Sequence, residues 1–254
     1  MEQKSVSRAA HTAASLRSQL NQIAAASQML ENSTAGERSR SYLAVINQGV
    51  CRMLRTVGRL ELDERLSLEE PKLSPVHLDA APWLEDLGRR LDSILCAAGV
   101  RFSFTCPSAL LIYTDTELLQ QLLLEAITHL ALTAGEIRLT VNKQGQNICF
   151  NVSDSGPDRT EGRPVLPELL ESSEEASSLD YARRIAELLG GTLMVSPSAD
   201  LQLSLAISVP AGDAPSSAQL EDARISWSNG GFDPALVALS ELLPAAAFLP
   251  ENLG

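Results

Sequence analysis

The stretch EIRLTVNKQGQNICFNVSDSG, residues 136–156, decides the class of fold that the rest of the chain must complete. Two runs with alternating apolar residues flank a turn at Gly145, so the pattern predicts a strand, a turn and a second strand. The second strand runs into Asp154 and Gly156. This spacing brings a carboxylate and bare backbone close to a ligand, as in a nucleotide site. Asp-Ser-Gly-Pro is equally a good turn sequence in its own right, so both interpretations stay open.

The segments on either side of this hairpin predict further helices and strands. Residues 81–99 and 115–135 are amphipathic helices, the first ended by Gly99 and the second started by Asp115. Two short strands lie between these helices, and a helix over 178–191 precedes a final hairpin. The order α-β-β-α-β-β-α-β-β predicts an α+β fold, a mixed sheet with helices on one face.

Residues 5–66 carry a pattern that predicts two helices joined by the polar segment ENSTAGERS. Apolar residues recur with a period of about 3.5, which is typical of a narrow seam that packs on partner helices. The seam residues are Ala9, Ala13, Leu16, Leu20, Ile23 and Leu30 in the first helix, and Leu43, Ile46, Val50, Met53, Val57 and Leu60 in the second.

A lone two-helix hairpin cannot cover this seam. Burying one leucine contributes about 1.5–3 kcal/mol, so the seam favours pairing with a second copy. The prediction is a homodimer through residues 5–66, in which two hairpins form a four-helix bundle. The alternative is that the hairpin packs on the rest of its own chain.

The predicted domains are a helical hairpin over 1–68, a proline-containing linker over 69–80, an α+β domain over 81–210 and a tail over 211–254. The tail ends in DPALVALSELLPAAAFLP, which predicts a short apolar helix. We expect it to dock on the main body, and a partner-binding peptide is the alternative.

Composition excludes several classes of function. The formal net charge of −12 argues against a duplex-DNA surface and disfavours an anionic membrane face. No apolar run approaches the ~20 residues that span a bilayer, and the N-terminus lacks a signal-peptide core, so we expect a cytoplasmic protein. The cysteines are Cys51, Cys96, Cys106 and Cys149; without a CxxC pair they indicate buried thiols rather than a metal site.

Four segments carry a resemblance to a known family: ASLRSQLNQI (14–23), DTELLQQLLLEAITHLALTA (115–134), the Asp154–Gly156 corner and ASSLDYARRIAELLGG (176–191). With the order of elements, they resemble a sensor histidine kinase core over about residues 5–210. The resemblance implies a dimerisation and phosphotransfer hairpin followed by a Bergerat-fold ATP-binding domain. Kinase-like histidine phosphotransferases share this architecture.

The first segment resembles the family's phosphoacceptor box without its nucleophile. Leu16, Arg17 and Leu20 match, but the acceptor position falls on Ala14. Alanine cannot be phosphorylated, so the resemblance implies no autophosphorylation at that position. His11 lies three residues earlier and is a candidate acceptor, although a surface histidine needs no role.

The second segment places Glu125 and His129 where the family has two asparagines, the second of which holds Mg²⁺. Their i, i+4 spacing puts both on one helix face. Glu125 is a candidate base, and His129 a weak metal candidate, because Mg²⁺ prefers oxygen ligands. An ordinary polar pair is the alternative.

The last two segments resemble the family's glycine boxes. Asp154 and Gly156 match a corner that binds adenine, but Asp158 replaces the next glycine. The phosphate-binding glycines before the last helix have become Ala176, Ser177 and Ser178. The acidic stretch ahead of them would repel a triphosphate.

Three hypotheses for function follow. The first is a catalytically degenerate kinase-like scaffold or regulator in two-component signalling, with a response regulator or a partner kinase as ligand. The second is a phosphorelay phosphotransferase that uses His11. The third is an active ATPase with Glu125, His129 and Asp154 in an unusual pocket. The first two need no cofactor, and the third needs ATP and Mg²⁺.

Overall fold

The computed structural model describes residues 37–66, 71–154, 173–197, 203–213, 219–221 and 232–249. It also describes seven residues of an earlier helical segment, which are Leu16, Gln19, Gln22, Ile23, Ala26, Met29 and Leu30. No helix in these ranges is long and apolar enough to cross a membrane.

The described helices and strands alternate in the predicted α+β order, which confirms the predicted fold class. The helices are α1 (Glu37–Leu66), α2 (Ala80–Ala97), α3 (Thr116–Ala131), α4 (Ser173–Leu188) and α5 (Pro234–Ala238), with a 3-10 helix at Ala245–Phe248. The strands are β1 (Val76–Asp79), β2 (Arg101–Thr105), β3 (Leu111–Thr114), β4 (Glu136–Gln144), β5 (Asn147–Asp154), β6 (Thr192–Pro197) and β7 (Leu203–Pro210).

The chain divides into two compact units. One contains residues 1–64 and 227–254, and the other contains residues 65–226. The part of the C-terminal tail from residue 227 onward therefore belongs to the same unit as the N-terminal helices, although the whole sheet domain separates them in the sequence.

Five strands of the second unit form a mixed sheet in the order β2-β4-β5-β7-β6. Strand β2 is parallel to β4, and every other neighbouring pair is antiparallel. The quoted hairpin forms the centre of this sheet, with Ile137 opposite Asp154 and Gln144 opposite Asn147.

One face of the sheet carries the core. Alternate residues of each central strand are buried, as the two-residue period requires. Helices α2, α3 and α4 contact the sheet, and α3 is buried along nearly its whole length between the sheet and α4. The inward positions of the two central strands are Ile137, Leu139 and Val141 on β4 and Ile148, Phe150 and Val152 on β5.

The segment predicted as a linker contains a strand. Val76–Asp79 pairs antiparallel with Leu111–Thr114 in a separate two-stranded sheet. Two contacts of Asp79 explain the position of β1: its Oδ1 atom accepts from the backbone N–H of Ala81 and from that of Leu110. The segment predicted as a linker over 69–80 therefore contains β1 at residues 76–79 and the first residue of α2. The two prolines of this segment suggested a linker, but proline is also tolerated at a short edge strand.

The tail docks on α1 within the first unit. The side-chain amide of Asn47 donates to the carbonyl of Phe248 at 3.0 Å, and that of Gln48 donates to the carbonyl of Leu243 at 2.8 Å. The guanidinium of Arg55 lies 3.1 Å from the carboxylate of Glu241. The end of the tail thus contacts the hairpin helix and contains the short helix α5.

Candidate functional site

The carboxylate of Asp154 ends β5 on the helix-covered face of the sheet. It follows Ile148, Phe150 and Val152 on the buried positions of the strand and is itself only 3% exposed. The candidate adenine-binding aspartate therefore lies inside the domain, at the end of a central strand. Its predicted companion, Gly156, lies outside the described residues.

Helix α3 carries the other two candidates of this domain. Glu125 is 6% exposed and His129 is 2% exposed, and the spacing of four residues places them one turn apart. Both side chains are thus buried polar groups, as are Gln120 and Thr128 on the same helix. Buried polar groups of this kind need partners within the protein.

Helix α3 begins at a cluster of polar contacts around Asp115. The sequence pattern predicts only part of this cluster. Asp115 is the N-cap, and its Oδ1 atom accepts from the backbone N–H of Leu118 at 3.1 Å. Its Oδ2 atom accepts from the N–H of Ser74 at 3.0 Å and from the guanidinium of Arg65 at 2.9 Å. The buried carboxylate therefore fixes the start of the helix that holds Glu125 and His129.

Helix α4 begins five residues earlier than predicted, at Ser173 rather than at residue 178. The positions that match the family's phosphate-binding glycines, residues 176–178, consequently lie inside the first turns of a helix. From Ser177 onward, each backbone N–H is placed to donate to the carbonyl four residues earlier. Those groups are then committed to the helix rather than free to bind a phosphate.

Several solved structures share this architecture at low sequence identity. Histidine kinase AdeS of Acinetobacter baumannii aligns with 78% of this chain and 98% of its own, at a TM-score of 0.54 and 17% identity. ShkA, solved in complex with AMPPNP, aligns with 81% of this chain and 46% of its own, at a TM-score of 0.58 and 18% identity. Histidine kinase ThkA in complex with response regulator protein TrrA aligns with 83% of this chain and 64% of its own, at a TM-score of 0.53 and 17% identity.

The chain has the fold of a histidine kinase core. The alignments span most of the chain, so the likeness extends beyond the sheet domain alone. No family model and no curated protein matches the sequence. At these identities the structural likeness establishes the fold, and the chemistry has to be argued from the residues of this chain.

The residues of this chain do not fit the Mg²⁺ that such a fold implies for ATP binding. The resemblance assigns the metal position to His129, whose imidazole offers nitrogen, whereas Mg²⁺ is a hard cation that requires oxygen ligands. Across the described ranges, no group of three or more His, Cys, Asp or Glu side chains is arranged to hold a metal ion. The carboxylate of Asp154 suits an adenine base better than the imidazole of His129 suits the Mg²⁺ of a bound nucleotide.

His11 lies outside the described residues, as do Ala14 and the acidic stretch before α4. The structure therefore brings Asp154, Glu125 and His129 into one domain and leaves the proposed phosphoacceptor as a prediction.

Two cysteines have thiols that resist ionisation. Burial raises the pKa of the Cys51 thiol to about 12. Burial, followed by the negative charges of Glu85 and Asp79, raises the pKa of the Cys106 thiol to about 11. A thiol with a raised pKa is a poor nucleophile at neutral pH, so neither group is a candidate for covalent catalysis.

Proposed function

We propose that this chain is a catalytically degenerate histidine-kinase-like protein, and that it acts as a dimeric scaffold or regulator in two-component signalling. The shared fold with AdeS, ShkA and ThkA supports the signalling class. The degeneracy rests on the chain's own residues.

The observation that carries the proposal is the burial of the His129 imidazole, at a position that the resemblance aligns with the family's metal ligand. A neutral imidazole offers nitrogen, whereas the Mg²⁺ that bridges the phosphates of ATP takes carboxylate, carbonyl and water oxygens. The early start of α4 removes further backbone donors from the phosphate side. Ala14 at the acceptor position has no nucleophile.

A partly exposed apolar stripe on α1 supports the dimer. Leu43, Ile46, Val50 and Met53 are half-buried in the single chain, while Val57 is 40% and Leu60 is 44% exposed. These are the seam residues predicted from the sequence. Because the stripe continues over several turns, pairing with a second copy would bury it.

A response regulator is the partner that the comparisons favour. ThkA, which shares the fold, was solved in complex with such a protein. In this proposal the partner docks on the helical hairpin and is bound without receiving a phosphoryl group from ATP.

Titration of the full chain with Mg-ATP tests the loss of nucleotide chemistry. We expect no binding tighter than about 1 mM, no difference when EDTA replaces Mg²⁺, and no label from γ-labelled ATP. The matched variants are Asp154→Asn, which removes the adenine-type carboxylate, and His129→Asn, which restores an oxygen donor. Micromolar, Mg²⁺-dependent binding that Asp154→Asn abolishes would contradict the proposal in favour of an active ATPase.

A phosphorylated receiver domain separates the scaffold from the phosphotransferase. The scaffold predicts that the receiver binds the chain and keeps its phosphoryl group. Transfer of label to the wild-type chain, lost in His11→Ala, would instead establish the phosphorelay alternative.

A further inference from the structure

Among the strands that the structure describes, β2 has a neighbour on one side of its backbone. It lies at the end of the five-stranded order and pairs with β4. The N–H of Arg101 donates to the carbonyl of Gly135, which immediately precedes β4. Because backbone groups alternate along a strand, the N–H and C=O groups of Phe102 and Phe104 point away from β4, toward the open edge.

A groove of about 330 Å³ runs beside this edge, between β2 and α2. Its helix wall is one stripe at i, i+3, i+4 and i+7, formed by Glu85, Gly88, Arg89 and Asp92. Its strand wall is formed by the half-buried rings of Phe102 and Phe104. The chain has only five phenylalanines, and two of them lie in this groove.

Gly88 sets the floor of the groove. A Cβ atom at this position would lie 3.0 Å from the ring of Phe104, so any side chain would crowd the aromatic wall. Gly88 thereby allows α2 to lie close to β2.

The rim of the groove is acidic. Glu85 and Asp92 are exposed and form no ion pair with any described residue, whereas the guanidinium of Arg89 is turned toward Asp86 at 3.5 Å. The negative potential extends to the end of β2, where the charges of Glu85 and Asp79 contribute to the raised pKa of Cys106. The chain as a whole carries a net charge of −12, which favours the approach of cationic partners.

We propose that this groove binds an extended peptide segment of another protein that carries lysine or arginine at alternate positions. The segment adds a strand to β2 through the free backbone groups of Phe102 and Phe104. Its alternate side chains enter the groove between the rings and the helix.

Lysine and arginine fit this groove better than purely apolar or acidic side chains do. Their methylene stems lie along the phenylalanine rings, and their charged ends reach Glu85 and Asp92. A cation above a ring face adds a further attraction of about 0.5–1 kcal/mol at an exposed site. The combination of main-chain pairing with side-chain pockets is a general mode of peptide recognition.

The test uses the full chain and three fluorescent probe peptides. The first alternates lysine and valine, the second alternates glutamate and valine, and the third is the lysine peptide N-methylated along one edge. We expect the lysine peptide to bind with a dissociation constant of about 100 µM or tighter at low salt, and the other two at least ~10-fold more weakly. Hydrogen exchange is expected to slow at the amides of Phe102 and Phe104.

Charge reversal on the chain supplies the matched control. Asp92→Lys should weaken binding of the lysine peptide about 5-fold or more, because it places a cation on the rim. Glu187→Lys changes the net charge equally on an exposed position of α4 and should have no such effect. Phe102→Ala tests the aromatic wall, with circular dichroism as the check of folding.

Three results would overturn the proposal. The first is equal binding of the lysine and N-methylated peptides, which would exclude strand addition as the mode of binding. The second is an equal loss of affinity for the lysine peptide in Asp92→Lys and Glu187→Lys, which would show that the effect depends on net charge alone. The third is self-association through β2 that the lysine peptide does not reverse, because the edge would then belong to a second copy. Each outcome is independent of whether the chain binds ATP.

Discussion

At the scale of single residues, Asp115 joins three segments of the second unit. One buried carboxylate accepts from the N-terminus of α3 at Leu118, from the backbone of Ser74 and from the guanidinium of Arg65. A buried charge is tolerated only when it is paired and hydrogen-bonded, and here both oxygens are satisfied. The start of α3 therefore depends on this side chain more than on local helix propensity.

Asp115→Ala should lower the free energy of unfolding by about 2–4 kcal/mol, because it removes a helix cap, the acceptor of the Ser74 N–H and the carboxylate partner of Arg65, which also donates to the carbonyl of Lys72. Urea unfolding followed by circular dichroism measures the change. Arg65→Ala is the matched control; it removes one of the three donors from a partly exposed pair, so we expect about 1 kcal/mol or less. A control effect as large as that of Asp115→Ala would place the stabilisation in the ion pair alone.

Residue chemistry shows why only part of this site is predictable from sequence. Asp115 is readable as a cap, because its effect is local. Its ion pair with Arg65 spans 50 residues and arises only when the chain returns on itself. The same limit applies to the groove beside β2: Phe102 and Phe104 read as strand core, and only the sheet order makes β2 an edge.

At the scale of elements, two roughly opposite sides of α1 make different contacts: one binds the tail, and the other carries the proposed dimer surface. One side carries Asn47, Gln48, Arg52 and Arg55, which contact the tail. The other side carries the apolar stripe that ends in the exposed side chains of Val57 and Leu60. The tail therefore docks on a different side of α1 from the proposed dimer surface.

Leu60→Glu should weaken self-association by about 100-fold, because the symmetric interface would bury two copies of a charge in place of two leucines. Sedimentation velocity over a concentration series measures the effect. Met194→Glu is the matched control, since Met194 is another exposed apolar side chain, 64% exposed on β6 and off the stripe. A monomeric wild type, or equal weakening by both variants, would refute the stripe as the interface.

The elements also show where sequence patterns predict well. The order of strands and helices from 81 to 210 was predicted from periodicity and caps, and the structure confirms it. The start of α4 was misplaced, because the resemblance suggested a loop where serines and glutamates favour a helix start. The tail was expected to dock, but no pattern in the sequence identifies α1 as its partner.

At the scale of the whole molecule, two buried thiols make stability depend on alkaline pH. The unfolded chain loses a thiol proton near pH 9, whereas folded Cys51 keeps its proton up to about pH 12 and Cys106 up to about pH 11. Between these values the folded state binds more protons than the unfolded state. Folding stability contributed by the neutral thiols is thus complete below pH 9 and is lost as pH rises above it.

The same two cysteines report on different units, because Cys51 lies in the first unit and Cys106 in the second. Alkylation at pH 8 in increasing urea, read by mass spectrometry, should label exposed Cys96 first, whereas buried Cys51 and half-buried Cys106 should react fully only on unfolding. Asp115→Ala should move the labelling midpoint of Cys106 to lower urea and leave that of Cys51 unchanged. Gln48→Ala, which removes a contact to the tail, should do the reverse. Midpoints that shift together in both variants would mean that the units unfold as one, because opening of either would then expose both thiols.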